Sequence, residues 1–357
     1  MSDLGLPNLN MIFTGKAVSA IERSARGIVA IVLKDDTEGG KELSVYKKVE
    51  MVDFTNWSEK SYNYLKLVFA GAPSTVIALR VAENTENFLA ALAKLKDLRW
   101  NYLTIPELPA VEVTTVSAWV KQYRTDANKT FKTVLAHCKA DHEGIINLTT
   151  ENITTTITGE TYTAAEYCAR IAGILAGLSL ARSSTSYVLE DITSADAPED
   201  PNERINDGEL VIIFDGKKYK IGRGVNSLVS FTTEKPEDVR FIKIVEGMDL
   251  YKDDILETYE DEYVGKIIND YDGKQMFVGA VKAYQKGLLG NVLDKSFDNT
   301  AAIDIEAQRT YLESKGKDTT DMDDLEVAKA NTGTQVFISS NVKFVNAMED
   351  LTMKTNM

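Results

Sequence analysis

The sequence predicts an α/β domain followed by an α+β domain. Over the first half of the chain, short apolar runs with strand character alternate with segments of helical periodicity, as in a sheet with crossover helices. Over the second half, a hairpin pattern and long helical patterns precede strand-like runs near the end. An acidic, proline-containing segment at 191–208 separates the halves and is predicted to be an exposed linker.

Composition excludes several classes of protein. The 357 residues provide room for two or three domains, and their formal net charge of -14 argues against a nucleic-acid partner, which needs a basic face. Two cysteines, Cys138 and Cys168, are too few for a disulfide framework and indicate a reducing compartment. The first residues show no basic region leading into an apolar run, so we expect neither a signal peptide nor membrane attachment by this chain.

The elements of the first half follow from hydrophobic periodicity. Segments rich in β-branched and aromatic residues are predicted as strands at 26–33, 74–81, 100–106, 131–137 and 144–149. Segments with helical spacing between them are predicted as helices at 58–72, 85–98 and 116–124.

The longest stretch of small and apolar residues is YTAAEYCARIAGILAGLSLARSSTSYVL, residues 162–189. A membrane span needs about 18 or more apolar residues, but here only the eleven residues 171–181 are uninterrupted, and an arginine closes each end. A threonine and a glutamate at 163 and 166 form a capping box. Because alanines and glycines recur between 172 and 177, we predict a buried helix with a closely packed side.

In the second half, an Asp-Gly pair at 215–216 between two apolar runs predicts a hairpin over 209–222. The residues 228–232 that follow also look like a strand. Long helical patterns lie at 241–269, 274–289 and 304–316. The chain then ends in strand-like segments at 334–345 and 347–357.

One cluster of residues could carry chemistry. His137, Cys138, Asp141, His142 and Glu143 crowd into one short segment that contains both histidines of the chain. Zinc sites usually repeat such a ligand pair elsewhere, and no second pair is present. We interpret the segment as a turn at a strand end. The alternative is a hydrolase-like α/β enzyme that uses His137, Cys138 and His142.

Other motifs fail on their spacing. The glycines in IGRGVNSL, 221–228, do not open a helix as a phosphate-binding loop requires, so a tight turn is favoured. The segment 269–275 lacks the ligand positions of a calcium loop, and no Gly-x-Ser-x-Gly elbow is present. We therefore predict no catalytic, cofactor-binding or metal-binding residues, and no cofactor.

Both ends of the chain are apolar, strand-like segments without a partner strand beyond them. A free strand of this kind can add to a sheet of a neighbouring subunit. The alternative is that the ends are frayed or paired within the chain. The alternating apolar residues are Leu4, Leu6, Leu9, Met11 and Phe13 at one end and Met348, Leu351 and Met353 at the other.

Several segments, in this order, resemble one family. They are RGIVAIVL, the helix segment at 162–189, GVNSL, YVGKIINDYDGKQMFVGAVKAYQKGLL (263–289), IDIEAQRTYLESKG (303–316) and the ending VNAMEDLTMKTNM. Together they resemble the contractile tail sheath proteins of myophages and of R-type phage-tail-like bacteriocins. The resemblance covers most of the chain and implies an α/β sheath domain and a C-terminal α+β assembly domain with extended terminal arms.

The resemblance implies a structural subunit rather than an enzyme. Such subunits polymerise helically around an inner tube and contract to drive the tube through a target cell envelope, while strand exchange by the arms links the subunits. The implied partners are further copies of the chain, the inner tail tube protein, and the baseplate and tail-terminator proteins. The implied locations are the bacterial cytoplasm during assembly and the tail sheath of the mature particle.

The resemblance also assigns residues and boundaries. The two apolar ends become the inter-subunit arms, and the strands that would accept them contain Leu210, Ile212, Phe214, Val336, Ile338 and Phe344. One helix carries Lys274, Lys282 and Lys286, which could contact the tube; the alternative is a solvated basic face. The implied division is an arm at 1–20, an outer domain at 21–190, a linker at 191–208, an assembly domain at 209–346 and an arm at 347–357.

Overall fold

The structure is a computed structural model that describes residues 26–356. The predicted N-terminal arm residues Leu4, Leu6, Leu9, Met11 and Phe13 lie outside the described residues. By packing, the described residues form two compact units. The first unit contains 26–253, 290–292 and 344–356, and the second contains 254–289 and 293–343. The domain boundaries given above stay a prediction, because a packing unit need not fold alone.

The strands of the first unit are β1 Ile28–Lys34, β2 Leu43–Tyr46, β3 Thr75–Val81, β4 Tyr102–Thr104, β5 Lys132–Ala136, β6 Ile145–Leu148, β7 Ile153–Thr155, β8 Thr161–Tyr162, β9 Ile192–Ser194, β10 Glu209–Leu210, β11 Ile212–Phe214 and β12 Tyr219–Ile221. The main sheet has the order β10-β6-β5-β4-β1-β3-β2. All neighbours in it are parallel except the edge strand β2. The five strands and the hairpin predicted for this region are confirmed.

Strand β1 is buried on both faces because helices cover both sides of the sheet. Val29, Ile31 and Leu33 belong to one core, and the residues between them belong to the other. Helices α1 (Glu59–Phe69) and α4 (Ala164–Gly177) contribute to the first core, and α2 (Leu89–Leu95) and α3 (Val113–Asp126) contribute to the second. The predicted α/β fold class is confirmed.

Helices α1 and α4 approach each other closely. A Cβ atom at Gly173 would lie 2.1 Å from the Val68 carbonyl oxygen, and one at Gly177 would lie 2.0 Å from the Gly71 carbonyl oxygen. The backbones therefore touch where α4 carries no side chain, as the small residues predicted. The capping box of Thr163 and Glu166 is also confirmed.

The acidic segment at 191–208 is not simply an exposed linker. It contains β9, which pairs with β7, and a short helix, α5 (Pro201–Asn206). The Asp191 carboxylate accepts a hydrogen bond from buried Arg170 at 2.9 Å, and Ile192 is buried. This ion pair ties the segment to α4, a contact that charge composition alone cannot reveal.

A buried cluster of charges lies at the amino ends of the central strands. Helix α6 (Ile242–Thr258) turns Glu246, Asp249 and Asp253 toward the sheet. Arg124 donates two hydrogen bonds to Asp249, at 2.9 and 3.1 Å, and Lys132 donates to the same carboxylate at 2.6 Å. The remaining contacts run from Arg26 to Glu246 and Asp253, from Lys132 and Tyr102 to Glu246, and from Thr130 to Asp253.

The pKa values in this cluster follow from its pairing. Burial alone would raise the pKa of Asp249, but the charges of Arg124 and Lys132 outweigh it and lower that pKa. The pKa of Asp253 stays raised by burial. The three carboxylates of α6 face three cations, Arg26, Arg124 and Lys132, and Arg124 also lies 3.7 Å from the Glu143 carboxylate.

The second unit contains α7 (Tyr271–Leu288), β13 (Thr300–Ile303), α8 (Ile305–Ser314), α9 (Asp324–Lys329) and β14 (Ile338–Asn341). Strands β13 and β14 pair antiparallel. The predicted helix at 241–269 is too long: α6 ends at Thr258, a π-helical turn spans Tyr259–Tyr263, and Gly265 has φ +71°. The predicted strand at 228–232 is absent, because the Asp141 carboxylate binds the amides of Val229 and Ser230 in a loop.

Replacing Lys132 with methionine tests the charge cluster. Lys132→Met removes the cation that the Glu246 and Asp249 carboxylates share. We therefore expect the free energy of unfolding, measured by urea titration, to fall by about 3 kcal/mol. Lys94→Met is the matched control, since Lys94 pairs with Glu42 on the surface, where ion pairs contribute little. Equal effects of the two changes would contradict the argument.

Two glycine-to-alanine changes test the α1–α4 contact. Alanine is the better helix former by about 1 kcal/mol, so Gly279→Ala in α7, where a Cβ meets nothing within 4 Å, should raise the melting temperature. Gly173→Ala should lower it, because the new Cβ clashes with the Val68 carbonyl. A stabilising Gly173→Ala would show that the helices can separate without cost.

Candidate assembly site

Residues 347–356 of the C-terminal arm form neither helix nor strand. The predicted strand at its end is therefore absent from the single chain, because no neighbouring strand supplies backbone partners. Met348, Leu351 and Met353 are 103%, 87% and 77% exposed. Apolar side chains at this exposure favour a segment that is covered only after it binds something.

The start of the arm is held firmly to the first unit. The Val345 amide donates to the Val292 carbonyl at 3.0 Å, and the Lys243 ammonium donates to the Val345 carbonyl at 2.6 Å. Lys243 is buried, which lowers the pKa of its ammonium. These contacts fix the place where the arm leaves the body.

Two acidic residues continue this anchor. The Glu349 carboxylate accepts a hydrogen bond from the Ser183 hydroxyl at 2.8 Å and lies 3.3 Å from Arg223, with its side chain only 7% exposed. Arg223 also donates to Asp350. We call Lys243, Arg223 and Ser183 the arm anchor. Sequence analysis missed these residues, since no periodic pattern links 183 or 223 to positions near 350.

The predicted acceptor residues of the first unit differ in exposure. Leu210 pairs with Leu148 in the main sheet and is fully buried, as is Ile212 in the hairpin. Phe214, at the end of β11, is 49% exposed and packs against Tyr219 with ring centroids 4.9 Å apart.

The other predicted acceptor residues are divided between the units. In the second unit, Val336 and Ile338 are half-buried, and Ile338 opens β14 opposite Ile303. Among the described residues, β14 has no strand on its other edge. Phe344 belongs to the first unit, where its ring meets that of Tyr251 edge to face at 6.1 Å.

The three lysines predicted for tube contact are not equivalent. Lys282 and Lys286 are exposed on α7, and so is Gly279 about one turn before Lys282. Lys274 is only 3% exposed, and its ammonium donates to the side-chain oxygen of Gln308 at 3.0 Å. Lys274 turns inward because it lies one turn into α7, on the side facing α8.

The histidine segment forms a turn between β5 and β6. His137, with φ +51°, contacts Glu151 at 2.6 Å on the surface, whereas the ring of His142 accepts a hydrogen bond from the Gly144 amide at 3.0 Å. Burial lowers the pKa of His142 to about 4 and raises the pKa of the Cys138 thiol. The side chains serve different partners, and a buried thiol holds its proton, so this turn lacks an activated nucleophile.

Residues 26–356 contain neither a metal-binding cluster nor a membrane-spanning helix. No group of three or more histidine, cysteine or acidic side chains there is arranged to hold a metal ion. No helix in that range is both long and apolar enough to cross a membrane.

Comparisons with known proteins point to one family. The family model "Phage tail sheath protein central domain" matches residues 82–227, and "Phage tail sheath C-terminal domain" matches 234–357. The tail sheath protein of Clostridium phage phiCD119 is 36% identical over 370 residues, covering 99% of both chains. A phage-like element protein of Bacillus subtilis, XkdK, is 30% identical over 40% of this chain and 31% of its own.

Solved structures show the same fold at low identity. The contracted helical sheath of the anti-feeding prophage has a TM-score of 0.71 at 14% identity and covers 99% of both chains. The sheath tail protein of Desulfitobacterium hafniense has a TM-score of 0.69 at 17% identity, over 83% of this chain and 94% of that one. With both family domains matched in order and a full-length relative above 30% identity, the chain belongs to the phage tail sheath protein family, whose members are structural components rather than enzymes.

Proposed function

We propose that this chain is the subunit of a contractile tail sheath. It polymerises helically around an inner tube and contracts to drive the tube through a cell envelope. The observation that carries the proposal is the exposed, anchored C-terminal arm in a chain that aligns end to end with a phage tail sheath protein. Assembly in the bacterial cytoplasm and a mature location in the particle's tail are parts of the same proposal.

Strand exchange by the arms links the subunits. The arm presents backbone groups and apolar side chains that its own chain leaves uncovered, and β14 presents an edge without a second strand among the described residues. When a neighbour's arm adds to this edge, the backbone groups of the arm pair with those of β14. The N-terminal arm, Leu4 to Phe13, serves as a second connector.

The donor arm and the acceptor edge are different surfaces. Contacts between unlike surfaces generate open helical polymers rather than closed dimers. Contraction then moves near-rigid subunits while the exchanged arms keep the lattice connected. The free energy comes from surface buried in the contracted packing, and the extended sheath is a kinetically trapped state.

The inner tube, the baseplate and the tail terminator are the further partners. Lys282 and Lys286 offer two exposed positive charges on α7, and Gly279, about one turn before Lys282, leaves room for a close approach. Such a face fits an acidic strip on the tube. Lys274 does not take part, because its ammonium is buried.

Truncation after Val345 tests the role of the arm. We expect the full-length protein to form long hollow tubes in negative-stain electron microscopy and the truncated protein to remain monomeric, since the donor segment is lost. Leu351→Asn with Met353→Asn should also abolish tubes. Thr352→Asn with Thr355→Asn changes polar positions of the same arm and should leave tubes intact. Tubes from the truncated chain would refute the proposed linkage.

Single replacements in the histidine turn test the enzyme alternative. We expect His137→Gln, Cys138→Ala and His142→Gln each to retain tube formation, because none of these side chains belongs to the arm, its anchor or β14. Electron microscopy gives the readout, and circular dichroism confirms that each variant is folded. A folded variant that cannot form tubes would place this turn in the assembly surface.

A further inference from the structure

The side chain of Arg26, two residues before β1, is held to helix α6. Its guanidinium donates to the Glu246 carboxylate at 2.8 Å and to the Asp253 carboxylate at 3.1 Å. The arginine side chain is 12% exposed, and the two carboxylates are nearly as well shielded from water. Because a guanidinium carries its donors in a fixed planar arrangement, contacts with two carboxylates set both the position and the direction of this side chain.

The backbone beside Arg26 is fixed as well. The Ser74 hydroxyl donates to the Arg26 carbonyl at 2.7 Å, and the Ser74 amide donates to the Gly27 carbonyl at 2.8 Å. Gly27 has φ +80°, and a Cβ atom there would lie 2.8 Å from the Ala176 carbonyl oxygen. Both the conformation and the lack of space require glycine. We call Arg26, Gly27 and Ser74 the N-terminal anchor.

The N-terminal anchor and the arm anchor meet on the same helix. Lys243, in the first turn of α6, donates to the Val345 carbonyl at 2.6 Å. Glu246 and Asp253, further along α6, bind Arg26. At a rise of about 1.5 Å per residue, these contacts lie within about 15 Å along the helix axis. Since the backbone hydrogen bonds of a helix fix its length, α6 holds the two exits at a constant separation.

Arg26 differs from the other two cations of the charge cluster. Arg124 lies on α3 and Lys132 on β5, so their ion pairs place α6 against elements of the core. Arg26 lies on neither a helix nor a strand, but on the segment that leads from the predicted N-terminal arm into β1. Its ion pairs therefore add little to the placement of α6 and instead position the start of that arm.

We propose that α6 joins the exits of the two arms into one rigid connector, with Arg26 as the residue that positions the N-terminal arm. The inference rests on the proposed polymer, in which the arms link the subunits. In that polymer, a pull on one arm passes through Arg26, α6 and Lys243 to the other arm and bypasses the main sheet. Each subunit can then move as a near-rigid body while the spacing between its two connectors stays constant.

Hydrogen exchange at single amides of the full-length protein, read by mass spectrometry with electron-transfer fragmentation, tests this coupling. The Val345 amide donates to the Val292 carbonyl and reports on the C-terminal exit. We expect Arg26→Gln to speed exchange of the Val345 amide about tenfold, because α6 is released at the opposite exit. Coupling between two sites is reciprocal, so Lys243→Met should speed exchange of the Ser74 amide by a similar factor.

Two further variants separate coupling from a general loss of stability. Gly173→Ala weakens the α1–α4 contact and should speed exchange at Val345 no more than at the amides of β5. Arg26→Lys keeps a cation beside α6 and should hold Val345 exchange within about threefold of the unaltered protein. Unchanged Val345 exchange in Arg26→Gln, or a rise no larger than that at β5, would overturn the proposal.

Electron microscopy of assembled protein gives the second readout. Arg26→Gln, checked by circular dichroism to be folded, should form tubes with broadened layer lines or no tubes, because each subunit no longer holds its arms at one separation. Tubes of Arg26→Gln with the order of the unaltered protein would contradict the proposal. If the unaltered protein forms no tubes, the proposed function fails, whereas hydrogen exchange in the single chain still decides whether the two exits are coupled.

Discussion

The register of helix α6 is the constraint on which the rest of the first unit depends, and the buried charge cluster sets it. Three carboxylates on one side of the helix meet three cations at the amino edge of the sheet. A shift by one residue would rotate the helix by about 100° and leave buried charges unpaired. Buried ion pairs are weak sources of net stability, but such a mismatch is costly, so they select one arrangement.

The same helix controls the exit of the C-terminal arm. Lys243 lies in the first turn of α6 and donates to the Val345 carbonyl. Once the charge cluster has fixed the helix, the position of Lys243 is fixed too, and with Arg223 and Ser183 it directs the arm. The exposed part of the arm thus begins at a fixed point. This reduces the conformational entropy that the arm loses when it binds.

In the proposed sheath, a C-terminal arm that is anchored to its own subunit is useful because contraction is a mechanical movement of subunits. Contraction needs subunits that stay rigid while their contacts change. The buried sheet with helices on both faces and the backbone contact of α1 with α4 provide that rigidity. The exposed arm and the β14 edge lie outside these cores, where contacts can form between copies.

The sequence by itself determined the fold class, the strands of the main sheet, the packed side of α4 and the apolar character of the C-terminal arm. Those features depend on local periodicity and on the size of side chains, which a sequence displays directly. Only the tertiary structure decided that the acidic segment at 191–208 is folded, that Lys274 is buried, and that Arg223 holds the arm. Each of these depends on a partner far away in the sequence. A contact between such distant residues produces no periodic pattern in the sequence from which it could be predicted.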